Sequence, residues 1–196
     1  MAMKKAMLLL GNGYEEVEAL TVVDFLRRAQ IPIDMVSITG KLETVGDHQI
    51  RIYADRLLEE VDSEEYDVVI TPGGMPGVKM LASDRRVTEL VRRFYDQGKL
   101  VAAICASPLV LEAAGISRDI KGTCFPGIEK NVHFKVFSEN VVERDGNVIT
   151  SRGPATAPYF ALALIEAIAG KEKAEEIRDR TLISLVEDAC REGSPN

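Results

Sequence analysis

The sequence predicts an α/β fold of the flavodoxin-like kind: one mostly parallel sheet with helices on both faces, a three-layer sandwich in a single domain spanning residues 1–196. Two observations carry this. Four short runs are apolar on both alternating sets of positions, as strands buried on both faces are, and the runs are separated by stretches with helical periodicity. Sheets of this type take their ligands outside the carboxyl ends of the strands, so the loops that follow the runs are where chemistry is expected.

Lys5–Leu10 is the first run, closed by Gly11-Asn12-Gly13, and Glu15–Gln30 follows as a helix with Val17, Leu20, Val23 and Leu26 on its apolar stripe. Ile31–Ile38 reads as the second strand, with Pro32 tolerable at its start. Tyr66–Thr71 is the third, running into Pro72-Gly73-Gly74, and an amphipathic helix over Asp84–Gln97 ends at Gly98. Leu100–Ile104 is the fourth. Between Gly40 and Asp55, and between Val141 and Thr150, the helical signal lapses. With Asp145-Gly146-Asn147 as a turn, these segments are expected to be peripheral hairpins. Helices over Ala155–Ala169 and Lys171–Asp188, split at Gly170, close the chain.

The 196 residues suffice to bury a real core, and 46% apolar against 28% charged side chains is an ordinary globular balance. A net charge of −7, from 31 acidic and 24 basic residues, argues against nucleic acid or an anionic membrane surface as the main partner. The run Ala6–Leu10 after Lys4-Lys5 is about half as long as a secretory signal requires and soon turns acidic. No stretch reaches the roughly 20 apolar residues of a membrane span. Three cysteines, Cys105, Cys124 and Cys190, form no CxxC pair, which suits a reducing, cytoplasmic setting and disfavours a disulfide framework or a zinc site.

Cys105 directly follows the fourth strand and precedes Ala106-Ser107-Pro108, with the proline suited to the first turn of a helix. A thiol at such a junction meets free amide donors and the positive end of a helix, which favour the thiolate. The geometry is that of a nucleophile elbow with alanines in place of the flanking glycines. The alternative is a small apolar core residue, since free cysteine is often buried. Glu15, Glu16 and Glu18 open the first helix. Capping explains Glu15 and Glu16, whereas Glu18, one turn in, is placed to meet Cys105 and then has to be protonated, because two poorly solvated anions in contact cannot both stay charged.

EEVEA with Glu18, DVVITPGG with Gly73-Gly74, AAICASP with Cys105 and TSRGPAT with Arg152-Gly153 together resemble the ThiJ/PfpI superfamily in its DJ-one branch, over nearly the whole chain. The resemblance implies that Cys105 is the reactive, oxidisable cysteine, that Glu18 is its protonated partner, and that Gly73, Gly74 and Ala106 line the pocket with amides. It also implies a homodimer, with His48 standing approximately where the branch brings an arginine to the pocket from the partner subunit. Phe125, followed by Pro126, occupies the place of a histidine considered for acid–base work, and Ala106 the place of the histidine a peptidase would need, so a Cys–His peptidase is not expected.

Arg152 and Gly153 are pocket neighbours or simply a turn. Cys124, Cys190 and His133 are read as structural or incidental. Arg27 and Arg28 are suited to the helix end, in a region the branch uses at the dimer and pocket rim. The activities implied are removal of reactive carbonyls without glutathione (methylglyoxal to lactate, or repair of glyoxal adducts), or else oxidative-stress sensing or redox-chaperone work through a Cys105 sulfinate. An amidotransferase-like or thiamine-pathway hydrolase is the remaining alternative. The small partner is a carbonyl compound or peroxide, and neither metal nor organic cofactor is called for.

Overall fold

Ala6–Leu10, the first apolar run, has no solvent-accessible surface on any of its five side chains and is an interior strand of a seven-stranded sheet. The computed structural model describes residues 4–193. In chain order the elements are β1 (Ala6–Leu10), α1 (Glu16–Arg28), β2 (Ile33–Ser37), β3 (Glu43–Val45), β4 (Arg51–Tyr53), β5 (Arg56–Leu57), β6 (Val68–Thr71), α2 (Met75–Ser83), α3 (Arg85–Asp96), β7 (Leu100–Ile104), α4 (Pro108–Ala113), β8 (Lys121–Gly122), β9 (Val136–Phe137), β10 (Val142–Asp145), β11 (Val148–Ser151), α5 (Ala157–Ala169), α6 (Lys171–Arg180) and α7 (Ile183–Arg191). The main sheet runs β10-β11-β7-β6-β1-β2-β5, parallel except for β10.

Alternation along each strand feeds two cores. Leu8, Leu10, Ile70, Ala102, Ile104 and Ile149 pack with α1, α5 and α6 on one face. Met7, Leu9, Val69, Val101, Ala103 and Val148 pack with α2, α3 and α4 on the other. This is the three-layer sandwich expected from the strand composition. No helix among the described residues is long and apolar enough to cross a membrane.

Four details differ from the sequence reading. The Val141–Thr150 segment is not peripheral: β11 joins β7 in parallel, Val148 facing Val101, and all four of its residues are buried. The Asp-Gly-Asn turn was correctly sited, but the strand it delivers is needed to close the sheet over β7. A helix, α2, was missed because Pro76 and Gly77 read as breakers. Pro76 instead occupies the first turn, and Gly77 passes so close to the first loop that a Cβ would sit 2.9 Å from Gly11 O. Val17 faces solvent, with Ala19, Val22, Val23 and Leu26 forming the buried stripe of α1. The last helix breaks at Leu182, whose φ is 62°. The other hairpin, β3–β4, does stand outside the main sheet.

Candidate active site

Three strand–helix junctions meet at the carboxyl edge of β1, β6 and β7. At the β7 junction Cys105 has a φ of 66°, a left-handed conformation that a side chain adopts at a cost and that sharp functional turns retain. The turn is held from below. Ser107 Oγ, fully buried, donates toward Thr71 O at 2.6 Å, lies 2.9 Å from Ile104 O and receives the Ile104 N–H at 2.8 Å. Cys105 N–H donates to Ser151 O at 3.0 Å, and Cys105 O accepts from Phe125 N–H at 2.9 Å. The elbow is thus bonded to β6, β11 and the segment after β8.

The β6 junction brings backbone against the thiol. A Cβ on Gly73 would lie 2.6 Å from Cys105 Cβ and 3.0 Å from its Sγ, and would also collide with Glu18 Oε2. Glycine is required there by close approach. At Gly74 the requirement is conformational as well, with φ at 86° and a Cβ falling 2.5 Å from Glu15 N. Glu15 N–H donates to Gly73 O at 2.9 Å, locking the β1 junction onto the β6 junction.

From α1, Glu18 enters this contact with no solvent exposure. Its Oε2 accepts the Gly73 N–H at 2.7 Å and lies on the same side of Gly73 as the Cys105 thiol. Its other oxygen has no protein partner among the described residues. Burial raises the Glu18 pKa from 4.5 to about 7, against the hydrogen bonds from Cys105 and Gly73 that favour the anion.

The thiol is pushed upward too, first by burial and then by the Glu18 charge and hydrogen bond, while amides of Ala106 and Gly74 pull it down. This corrects the sequence argument. A helix end was expected to activate the cysteine, but α4 has only six residues and burial opposes it. Protonation of Glu18 would remove the negative charge beside the sulfur and leave the two amides, both of which favour the thiolate.

Around this centre, Phe125 is 45% exposed and lays its ring 3.2 Å from where a Gly153 Cβ would be. Pro126 is exposed beside it. Arg152 is half-buried with Nη1 enclosed. Cys124 is buried, its pKa raised to about 11 by desolvation, and Cys190 is exposed on α7.

His48 is occupied within its own chain. Its Nδ1–H donates to Glu16 Oε2 at 2.8 Å and its main-chain N–H to Glu16 Oε1 at 2.8 Å, which fastens the β3–β4 hairpin to the start of α1. Glu16, read from sequence as a capping residue, is therefore a buried hairpin clamp, and Glu15 is the cap, accepting from Val17 N–H. Glu15, Glu16 and His48 offer three donor atoms within 4.8 Å of one another, the one group among the described residues that could hold a metal ion.

His133 and Ser117 bond to Glu112 behind α4. Arg27 ties to Asp55 and Arg28 to Asp24 at the far end of α1. Ser107 was not found from sequence. A serine before proline signals a helix start there, and nothing in the pattern reveals its bond to Thr71.

A parallel α/β sandwich with a strained cysteine elbow, a buried carboxyl partner and converging amides defines a cysteine-centred class of small α/β proteins. Residues 4–167 match the DJ-1/PfpI family, and this chain belongs to it. It is 36% identical over 183 residues to Protein dj-1beta of Drosophila melanogaster, covering 92% of this chain and 98% of that protein. It is 38% identical to the Parkinson disease protein 7 homolog of Danio rerio, covering 91% and 96%. A longer relative, Protein DJ-1 homolog B of Arabidopsis thaliana, is 35% identical, and the match spans 40% of its length.

The crystal structure of Drosophila melanogaster DJ-1beta superposes with a TM-score of 0.88 over 92% of this chain and 98% of that one, at 36% identity. Toxoplasma gondii DJ-1, solved oxidized, gives 0.88 over 91% and 98%, at 33% identity.

Proposed function

We propose that this DJ-1-like stress-response protein removes reactive carbonyls through Cys105 without glutathione, converting methylglyoxal to lactate and acting on related glyoxal adducts. The observation that supports it is the buried Glu18 carboxyl, raised to about 7, beside a thiol on which the Gly74 and Ala106 amides bear. With Glu18 protonated, Cys105 Sγ adds to the aldehyde carbon. The carbonyl electron pair moves to oxygen, where the amides stabilise it and Glu18 supplies the proton. Glu18, now ionised, takes the proton from that carbon and returns it to the neighbouring one, while the hydroxyl proton passes to the neighbouring oxygen as the new carbonyl forms. The resulting lactoyl thioester is hydrolysed by water, so the sum is methylglyoxal plus water to lactate, with no external oxidant or reductant.

The test is methylglyoxal consumption with lactate measured directly, for wild type, Cys105→Ser and Glu18→Gln. Lactate from the wild type alone is the expected result, and equal, negligible lactate from all three removes the proposal. A second reading, in which peroxide drives Cys105 to a sulfinate held by Glu18, is favoured by the oxidized state of the Toxoplasma gondii relative. It predicts two added oxygens on Cys105 without carbonyl turnover. In either reading we take the protein to be a homodimer joined through the exposed Val17, Ile50 and Tyr53 of α1 and the β3–β4 hairpin, near His48.

A further inference from the structure

Besides Glu18 Oε1, two enclosed polar atoms near the cysteine elbow have no protein partner among the described residues: Thr123 Oγ1 and Arg152 Nη1. Thr123 is fully buried. Strand register brings both to the edge of the site. Ser151 of β11 lies opposite Ile104 of β7, so Arg152 follows its strand as Cys105 follows the neighbouring one. The Cys105 N–H···O Ser151 bond of 3.0 Å closes that step.

Side chains alternate along extended chain. Ser151 turns its hydroxyl to Val141 O and Thr156, which leaves Thr150 and Arg152 on the other side, where Thr150 Oγ1 receives the Thr123 N–H at 2.9 Å. The Thr123 main chain and the start of the Arg152 side chain are therefore on one side of the end of β11. The Arg152 charge reaches the thiol of Cys124, the residue after Thr123. Phe125, the next residue, holds Cys105 O through its N–H and covers Gly153 with its ring.

A guanidinium keeps its charge and presents planar N–H donors matched to a carboxylate. An enclosed donor without an acceptor carries a desolvation cost that an anion relieves. Glu129, whose charge also reaches Cys124, accepts the Gly127 N–H at 2.6 Å through Oε2 and forms no ion pair with Arg152.

We propose that Arg152 and Thr123 form an anion subsite beside Cys105, and that the electrophiles this site takes are small aldehydic acids of the glyoxylate type, with the carbonyl on Cys105 and the carboxylate on Arg152. The reaction rests on the carbonyl reading above, and the subsite stands apart from it. Addition follows the same balance: the S–C bond forms, the carbonyl pair moves to oxygen and Glu18 protonates it. The carboxylate is unchanged, accepting from Arg152 Nη1–H and the Thr123 hydroxyl.

Iodoacetate and iodoacetamide share a reactive carbon and a leaving group and differ in charge, so their alkylation rates, resolved by peptide mass, test the subsite without turnover. The expected result is an iodoacetate-to-iodoacetamide ratio at Cys105 about tenfold above that at exposed Cys190 in the same molecule, the size of one charge-assisted hydrogen bond. Arg152→Gln should abolish the excess and Arg152→Lys retain part of it.

Equal ratios at the two cysteines of the wild type overturn the subsite even where Arg152→Gln fails to fold, as does an excess that survives Arg152→Gln. An excess in a protein that turns over no aldehyde supports the subsite and removes the carbonyl reading. Methylglyoxal turnover without an excess does the reverse.

Discussion

Replacing Glu18 by glutamine should change how stability depends on pH. In the folded chain burial holds the Glu18 carboxyl at about 7 rather than 4.5. Folding therefore favours its protonated form, and stability from this group is fully present below the unfolded value and is lost as pH rises through about 7. At about 1.4 kcal/mol per pH unit, the interval corresponds to a loss of about 3 kcal/mol between pH 4.5 and 7.5. Glutamine is close in shape, has no proton to lose and can accept the Gly73 N–H through its carbonyl oxygen. Urea unfolding of both proteins from pH 4.5 to 8 measures the difference directly, because titrations elsewhere in the chain are common to both. Wild type minus Glu18→Gln should fall by about 3 kcal/mol across that range. Parallel profiles would show that folding leaves the Glu18 carboxyl near its ordinary 4.5 and would refute the role given to its burial.

Further outcomes follow from the same contacts. Gly73→Ala puts a methyl group 2.6 Å from Cys105 Cβ, and is expected to cost about 1–3 kcal/mol in urea unfolding and to slow Cys105 alkylation by more than about tenfold through displacement of Glu18 and Sγ. Ser107→Ala removes the hydroxyl that joins the elbow to Thr71 O, and a loss of about 1–3 kcal/mol is expected for the buried groups left unpaired. Glu16→Ala should release the β3–β4 hairpin, seen as faster hydrogen exchange at the His48 and Ile50 amides that Glu16 now accepts. In the wild type, the His48 pKa is raised by its bond to Glu16 and by the Glu15 and Glu16 charges. The ionic part of this clamp is therefore complete below the usual imidazole range and is lost as pH rises through the raised value.

The parallel sheet was legible because strands buried on both faces leave unbroken apolar runs, as Ala6–Leu10 and Leu100–Ile104 do. β11 was misplaced because only four residues carry its signal and a hairpin turn precedes them, while the contact that assigns it, Val148 against Val101, is remote in sequence. α2 was hidden by Pro76 and Gly77, residues that local propensity counts against a helix. Cys105, Glu18, Gly73 and Gly74 were found together because the junctions of a parallel sheet share one edge and because four motifs resembled a family. The pattern did not reveal that burial opposes thiol ionisation at Cys105, since desolvation depends on what covers a residue in three dimensions. Glu16 was likewise legible as acidic and as near a helix start, but its hairpin partners, 32 and 34 residues away, were not.

The proposed function requires Cys105 to be nucleophilic through Glu18 although it is more enclosed than Cys190. The most direct test is the rate of iodoacetamide labelling at each cysteine at pH 7, resolved by peptide mass, in wild type and Glu18→Gln. Cys105 should label ahead of Cys190 in the wild type, and the Cys105 rate should change with Glu18→Gln while that of Cys190 stays fixed. Labelling of Cys190 first, with Cys105 indifferent to Glu18, would contradict it.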